Sequence, residues 1–341
     1  MWFLLKWSMQ LKGVNLGGYL VLEKWITPHL FSGTNATDEY TLHASGVYDL
    51  PSKLKSHYEE YITGKDVLFL KAQGVNALRI PVGHFLFGDF PPFPSTVEYL
   101  DNIMQVADKH SVLVILDLHT APGSQNGWDH SGKAGTIGWH KSKENIAQTL
   151  TVLYKLAKRY HGYSNLFGIE LLNEPHYDVP LSLLKKFYQE GHKAVREYSN
   201  CAVIISDAFR PLKWTNFMVK DWYENVILDL HLYQCFAQRD KEMTMPEHIE
   251  FTRKEWGKLV STVQKHRHAI CGEWSLGIDA LSLKGLTSSD IEAYIKRYGE
   301  TQLEVFSNLL GHFFGIIKHM IKGDGITLIV VLKGFYQHFN L

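Results

Sequence analysis

Gly168-Ile169-Glu170-Leu171-Leu172-Asn173-Glu174-Pro175 reads as a buried apolar strand that gives way to a loop at Asn-Glu-Pro. Proline has no amide hydrogen to lend to a ladder, so Asn173 and Glu174 are expected at the strand's C-terminal end. A carboxylate there, with an amide beside it, suits a general acid at the mouth of a barrel. Ile270-Cys271-Gly272-Glu273-Trp274-Ser275 repeats the arrangement, with Glu273 leaving a short apolar run. Either glutamate alone reads as readily as an ordinary solvated carboxylate. Two of them ending strands of one periodic α/β pattern fit glycoside hydrolysis, which needs a pair of carboxyl groups across one sugar.

Outward from that stretch, strand-like and helix-like runs alternate. Strands are expected over 10–16, 75–80, 112–118, 168–172, 202–205, 226–230 and 269–273, the second closed by Pro81. Helices are expected over 63–73, 95–110, 141–160, 181–198, 247–266 and 288–310, with Ser289-Asp290 as the last N-cap. The connection from 21 to 63 is far longer than a usual βα loop, which points to function. Seven βα units and a damaged eighth, with no linker or composition break, predict an α/β protein. The expected architecture is a single-domain (β/α)8 TIM barrel over 1–341, with a long loop after the first strand and an atypical eighth unit. A doubly wound sheet is the alternative, but Asn15-Leu16-Gly17-Gly18 has the wrong spacing for a dinucleotide or phosphate loop.

Lys plus Arg and Asp plus Glu both total 35, so no basic field argues for a nucleic-acid partner. No run is a convincing membrane span; 316–331 is apolar but broken by Lys318, Lys322 and Asp324. Cys201, Cys235 and Cys271 cannot all pair, Cys201 and Cys271 read as core residues, and no spacing suggests a metal. No cofactor and no metal are expected, and the chain is expected to be a monomer. Residues 1–9 lack the layout of a signal peptide and read as a disordered or mis-called start, with Met9 as the alternative initiator. The chain as written is thus expected in the cytoplasm, or secreted if its start is truncated; the Asn35-Ala36-Thr37 sequon matters only in the second case.

A barrel gathers strand ends on one face. The residues delivered there are Asn15, Arg79, His119, Asn173, Glu174, Asp207, His231, Tyr233 and Glu273. For Asp207 capping or a satisfied core contact is the better reading. Asn173 suits a sugar 2-hydroxyl, and Arg79 with Tyr233 suits holding Glu273 ionised. A metal-dependent hydrolase is disfavoured, because His119, His231 and Glu273 lie on different strands without ligand-pair spacing.

Gly13–Gly18, Leu22–Pro28, Thr34–Tyr40, Arg79-Ile80-Pro81-Val82-Gly83, Leu116–His119, Ala121–Gly127, Asn173-Glu174-Pro175, His231-Leu232-Tyr233 and Gly272–Ser275 together resemble glycoside hydrolase family 5, most of all its exo-β-1,3-glucanases. The resemblance runs from about 11 to 314. It implies a retaining hydrolase with Glu174 as acid/base and Glu273 as nucleophile. It places Arg79, His119, Asn173, His231 and Tyr233 around the sugar. Glu23 and Asp129 correspond to carboxylates that bind hydroxyls of the terminal glucose, and Trp128 and Phe236 to an aromatic pair that clamps the next sugar. Read from the residues alone, Trp128 and Phe236 serve equally as loop packing or as sugar platforms. The implied activity is release of glucose from the non-reducing end of β-1,3-glucan or a related β-glucoside by double displacement, the long first loop closing one end of the cleft. Transfer to a sugar hydroxyl instead of water is the close alternative.

Three positions depart from the family pattern. His130 stands for a usual Asn and Tyr19 for a common Trp, both expected to alter substrate preference modestly. At Gly315 the family has a Trp that floors the catalytic subsite, followed by Tyr-Lys, where this chain continues Ile316-Ile317-Lys318. One permitted coding of this stretch, with a T added in front and read one base earlier, yields Trp-Asn-Tyr-Lys. A pair of compensating frameshifts across 315–331 is therefore expected, with true divergence as the alternative. In either case the chain as written is expected to be an impaired enzyme or a β-glucoside-binding homologue.

Overall fold

Alternation along each strand decides what the barrel holds. The computed structural model describes residues 9–315. Its strands are β1 (Leu11–Asn15), β2 (Ala77–Val82), β3 (Leu113–Leu118), β4 (Leu166–Glu170), β5 (Ala202–Ser206), β6 (Val226–Leu232), β7 (Ala269–Trp274) and β8 (Gly311–Phe314). All pair in parallel with their chain neighbours, and β8 pairs with β1 to close the cylinder. Outward-facing Leu78, Ile80, Val114, Leu116, Val203, Leu228 and Leu230 pack in one large core with the surrounding helices. Inward-facing Leu11, Ala77, Ile115, Phe167, Ile204, Ile227, Ile270 and Phe313 form a second core that plugs the cylinder. One step further along the same inward rows stand Arg79, Asp117 and Asp229, so an ionic layer lies directly on the apolar plug.

The expected strand order holds, with three informative differences. Pro81 does not close β2; it lies within the strand, opposite Asp117. Residues 79 and 81 turn their backbone toward β1, whose pairing with β2 ends at Asn15 opposite Arg79. The missing amide hydrogen of Pro81 therefore falls beyond the last rung. The eighth strand is intact through Phe314, so the anomalous stretch begins after barrel closure. Between β5 and β6 there is no α-helix, only a short 3₁₀ turn over Pro211–Lys213. Arg267 ties that connection down by donating from Nη1 to the carbonyls of Trp214 and Phe217, both at 2.9 Å.

Helices also shift from expectation. The run expected over 247–266 starts at Met245, where Thr244 and Glu247 make a capping box, and is interrupted by a π turn over Thr252–Trp256. Thr252 Oγ1 there accepts from Gln234 Nε2 at 2.7 Å and donates to His248 O at 2.9 Å. The helix Ser288–Phe306 is capped by Thr287, not by Ser289-Asp290; Asp290 is the N3 partner of that box. No helix among the described residues is long and apolar enough to cross a membrane. Cys201, Cys235 and Cys271 form no disulfide among the described residues, and the first and last are buried. The expectations for residues 1–8 and for 316–331 lie outside the described residues.

The long connection after β1 is folded, not open loop. It carries short helices over Pro28–Phe31, Glu39–Ala44 and Leu50–Glu60. Asp38 caps the second of these through Thr41 N–H and also accepts Ala134 N–H at 2.8 Å. Tyr40 N–H donates to Gly132 O at 2.8 Å, and Lys133 Nζ sits 4.1 Å over the Tyr40 ring. The connections after β1 and β3 are thereby joined at the mouth of the barrel.

Candidate active site

Arg79 is the buried pivot of the site. Its guanidinium donates from Nε to Glu170 Oε2 at 2.9 Å and from Nη2 to Asn173 Oδ1 at 2.8 Å. Nη1 reaches Asn15 Oδ1 at 3.0 Å and Glu273 Oε1 at 2.9 Å, and Nη2 lies 3.2 Å from Asp117 Oδ2. A planar fork with five N–H groups is the side chain that can meet so many acceptors at once. Burial works against the Arg79 charge, but Asp117, Glu170, Glu273 and Asp229 outweigh it and push its pKa well above the ordinary value.

Glu273 owes its direction to a bulge. In the pairing of β6 with β7, Leu230 opposes Cys271 and His231 opposes Glu273, so Gly272 is the extra residue. Gly272 N–H donates to Asp229 Oδ1 at 2.5 Å, and a Cβ at this position would lie 1.9 Å from Asp229 Oδ2. Only glycine fits beside that carboxylate, and the skipped rung turns Glu273 into the cleft. There Arg79 holds Oε1, and Tyr233 donates its hydroxyl to Oε2 at 2.9 Å. Burial opposes the charge of Glu273, but His231, Arg79, His119 and His130 together hold its carboxyl far below the usual range.

Glu174 lies beyond the end of β4. The ladder stops at Glu170, although Leu171 N–H still reaches Ile204 O and Asn173 N–H reaches Leu118 O, both at 2.9 Å. Glu174 itself has φ +42°, a left-handed conformation that non-glycine residues adopt at a cost. The connection after β3 supports it: Gln125 Nε2 donates to Asn173 O at 3.0 Å and Asn126 Nδ2 to Glu174 O at 3.1 Å. His231 Nδ1 lies 2.6 Å from Glu174 Oε1, and its Nε2 lies 3.3 Å from Asp229 Oδ2. Burial opposes charge on His231, but Glu273, Asp229 and the bonds to Asp229 and Glu174 hold the ring well above its ordinary pKa. One carboxylate oxygen of Glu174 and one of Glu273 lie within 4.8 Å of each other, with His231 beside both.

These groups open into a cleft of about 1460 Å³. Its lining includes Glu23, His119, Trp128, Asp129, Tyr233 and Phe236, as expected, together with Trp25, His130, Phe209 and Gly315. Burial pushes Glu23 up to about 7, although His119 and the Trp25 indole, which donates to it at 2.9 Å, pull the other way. Asp117 Oδ2 lies 2.5 Å from His119 Nδ1; burial opposes charge on that ring, but Asp117 and Glu273 raise its pKa. Trp128 and Phe236 are 40 % and 76 % exposed at the cleft, Trp128 packing against the rings of His176 and Phe209 and Phe236 against Tyr233. Asp207 is buried and accepts Phe209 N–H at 2.8 Å in a local turn, so it is a satisfied buried contact and not a helix cap. Tyr19 is 1 % exposed in the main core and does not line the cleft, so the expected effect of this substitution on substrate contacts is not found.

Three acids escaped sequence reasoning: Asp117, Glu170 and Asp229, all fully buried under Arg79. Their signal was an acid on the inward row of an otherwise apolar strand. The argument from strand separation against a metal also needs correction, since folding brings distant residues together. Donor atoms of Glu170, Asp229 and His231, and of Glu174, His231 and Glu273, lie within 4.8 Å of one another. Arg79 and the charged His231 already pair with those carboxylates, which makes both groups parts of one ion-pair network.

Residues 40–304 match the family model for cellulase, glycosyl hydrolase family 5. A glucan 1,3-beta-glucosidase of Blumeria graminis is 39% identical over 280 residues, covering 79% of this chain and 65% of that protein. One from Schwanniomyces occidentalis is 33% identical over 360 residues, covering 91% and 84%. The matched part of the chain thus spans just under two thirds of the Blumeria protein. Among solved structures, rutinosidase from Aspergillus niger superposes with a TM-score of 0.74 at 21% identity, over 90% of this chain and 89% of that one. Endoglucanase Cel5A from Thermotoga maritima does so with 0.62 at 15%, over 94% and 96%. At these identities the structural likeness is one of fold.

Proposed function

The chain belongs to glycosyl hydrolase family 5, and from that premise we propose that it is a retaining β-glucosidase that removes glucose from the non-reducing end of a β-1,3-glucan or a related β-glucoside. The observation that carries the mechanism is the Glu174–Glu273 pair, with oxygens within 4.8 Å. Retaining pairs stand about 5–5.5 Å apart and inverting pairs about 6.5–9.5 Å, and so close an approach of two carboxylate oxygens supports the retaining arrangement. The two environments divide the roles. Glu273, held ionised by His231, Arg79 and Tyr233, is the nucleophile. Glu174, on the strained turn at the cleft wall, is the acid/base.

In the first step the Glu174 proton passes to the glycosidic oxygen while Glu273 forms a bond to the anomeric carbon and the C–O bond to the leaving group breaks. The resulting ester has removed the charge of Glu273. Water then attacks the anomeric carbon, gives its proton to the Glu174 carboxylate and releases β-glucose and free Glu273. Asn173 Oδ1 is held by Arg79, and its Nδ2 is buried with no partner among the described residues, which suits donation to the sugar 2-hydroxyl. Glu23 and Asp129 would bind the outer hydroxyls of the terminal glucose, with Trp128 and Phe236 on the next sugar.

Gly315 supports a second reading. It lines the cleft where the family resemblance calls for a tryptophan, so the chain as written would bind β-glucosides and turn them over slowly. Laminarin and an aryl β-glucoside, with Glu273→Gly as control, separate the two. Release of β-glucose as the first-formed anomer supports the main reading. Saccharide binding without release supports the second, and α-glucose first would end the retaining mechanism.

A further inference from the structure

His130 meets the Glu174 carboxyl group on its other oxygen from His231. Its Nε2 lies 3.4 Å from Glu174 Oε2, while His231 Nδ1 takes Oε1. The imidazole sits beside the rings of His119 and Trp128, with centroids 5.3 Å and 5.5 Å away. Its Nδ1 is buried and has no partner among the described residues. A neutral imidazole carries one hydrogen. On Nδ1 that hydrogen would be an unsatisfied buried donor, and the Nε2 lone pair would face a carboxylate oxygen. On Nε2 it sits on the nitrogen nearest the Glu174 carboxyl group, 3.4 Å from Oε2. The titratable groups facing the ring are Glu174 after β4, His119 after β3, Glu273 in β7 and Asp129 beside it in the chain. Burial, above all, lowers the His130 pKa and keeps the ring neutral; Glu174 acts against this and His119 adds to it.

We propose that His130 is a positioning residue for Glu174, its Nε2–H engaging Oε2 so that the acid proton is left facing the cleft and the carboxyl group is made a stronger acid. The inference rests on Glu174 being the acid/base. His130 neither gives nor takes a proton in the reaction. It favours the carboxylate left behind when Glu174 protonates the leaving oxygen, because a hydrogen bond to a charged acceptor is stronger than one to a neutral carboxyl.

Glutamine reaches as far as histidine with an amide N–H and does not titrate, whereas alanine removes the donor. The direct measurement is ¹³C NMR titration of the Glu174 carboxyl, assigned by its loss in Glu174→Gln. In His130→Ala the midpoint moves up by about half to one pH unit, and in His130→Gln it stays near that of the parent. Equal midpoints in all three proteins overturn the proposal. The kinetic counterpart compares a dinitrophenyl β-glucoside, whose departure needs no acid, with an alkyl β-glucoside, which does. His130→Ala then lowers kcat/KM about fivefold or more for the alkyl substrate only, and shifts the basic limb of its pH profile upward. An equal loss on both substrates would mark His130 as mere packing. A shifted midpoint in a protein that hydrolyses neither substrate would leave this inference standing and remove the glucosidase reading.

Discussion

Arg79 Nη1 and Glu273 Oε1 are 2.9 Å apart, joining a fully buried cation to the carboxylate that faces the cleft. The same guanidinium holds Glu170 and lies 3.2 Å from Asp117. Removing one member of such a network strands the others in a low-dielectric layer, which costs about 3–5 kcal/mol. Arg79→Met is therefore expected to lower unfolding free energy by about that amount, measured by urea titration. Arg79→Lys keeps a charge but loses the fork, and is expected to fold and to lose at least about tenfold in kcat.

Tyr233 makes one hydrogen bond to Glu273 Oε2, at 2.9 Å. Tyr233→Phe keeps the ring and removes that bond. The expected result is a fall in kcat/KM of about tenfold, corresponding to about 1.4 kcal/mol, with little change in Tm. The depressed pKa of Glu273 should rise toward its ordinary value, so the acid limb of the pH–rate profile moves upward. An unchanged profile would mean that Arg79 and the surrounding histidines set the charge without Tyr233.

His84 and His312 are buried histidines whose pKa values burial pushes down to about 3, Lys12 adding to the effect at His312. The unfolded chain binds protons at these rings below about pH 6.5, while the native protein binds none until about 3. Stability is thus at its full value above about pH 6.5 and falls as pH drops toward 3. The slope is up to about 1.4 kcal/mol per pH unit for each ring. Urea unfolding at pH 7, 5 and 4 should show this fall, and His84→Gln should make it shallower.

Gly315 N–H donates to Trp274 O at 2.9 Å, and a Cβ built on it would meet, among the described residues, Trp274 O at 3.4 Å and Ser275 Cβ at 3.9 Å. Among the described residues nothing stands in the way of a Cβ there. Gly315→Trp is expected to raise kcat/KM on an aryl β-glucoside at least tenfold, as about 1.4 kcal/mol of stacking would provide. No gain would mean that a platform at this position needs residues beyond it, or that the chain has diverged to a different use.

The strand ends were legible because each is a local event. An apolar run followed by an ionisable residue is visible in a few letters, and closure then brings Asn15, Arg79, Glu174 and Glu273 together whatever their spacing. Asp117, Glu170 and Asp229 were not legible as a group, since a buried acid reads like an exposed one until its cation is known. The Gly272 bulge was equally hidden, because it is a property of the pairing between β6 and β7. Pro81 misled for the same reason: whether a missing amide hydrogen ends a strand depends on which neighbour is opposite it. The π turn at Thr252 answers to Gln234 and His248, contacts that helical periodicity does not encode.

β8 is four residues long, yet it alone seals the cylinder between β7 and β1. During synthesis β1 leaves the ribosome first and waits with one bare edge until Gly311–Phe314 emerges. A message cut short before that point would yield an open sheet with two sticky rims, a substrate for aggregation or degradation and not a weaker catalyst. A lesion just after Phe314 falls on the other side of that line: all eight staves are already in the chain when it is met.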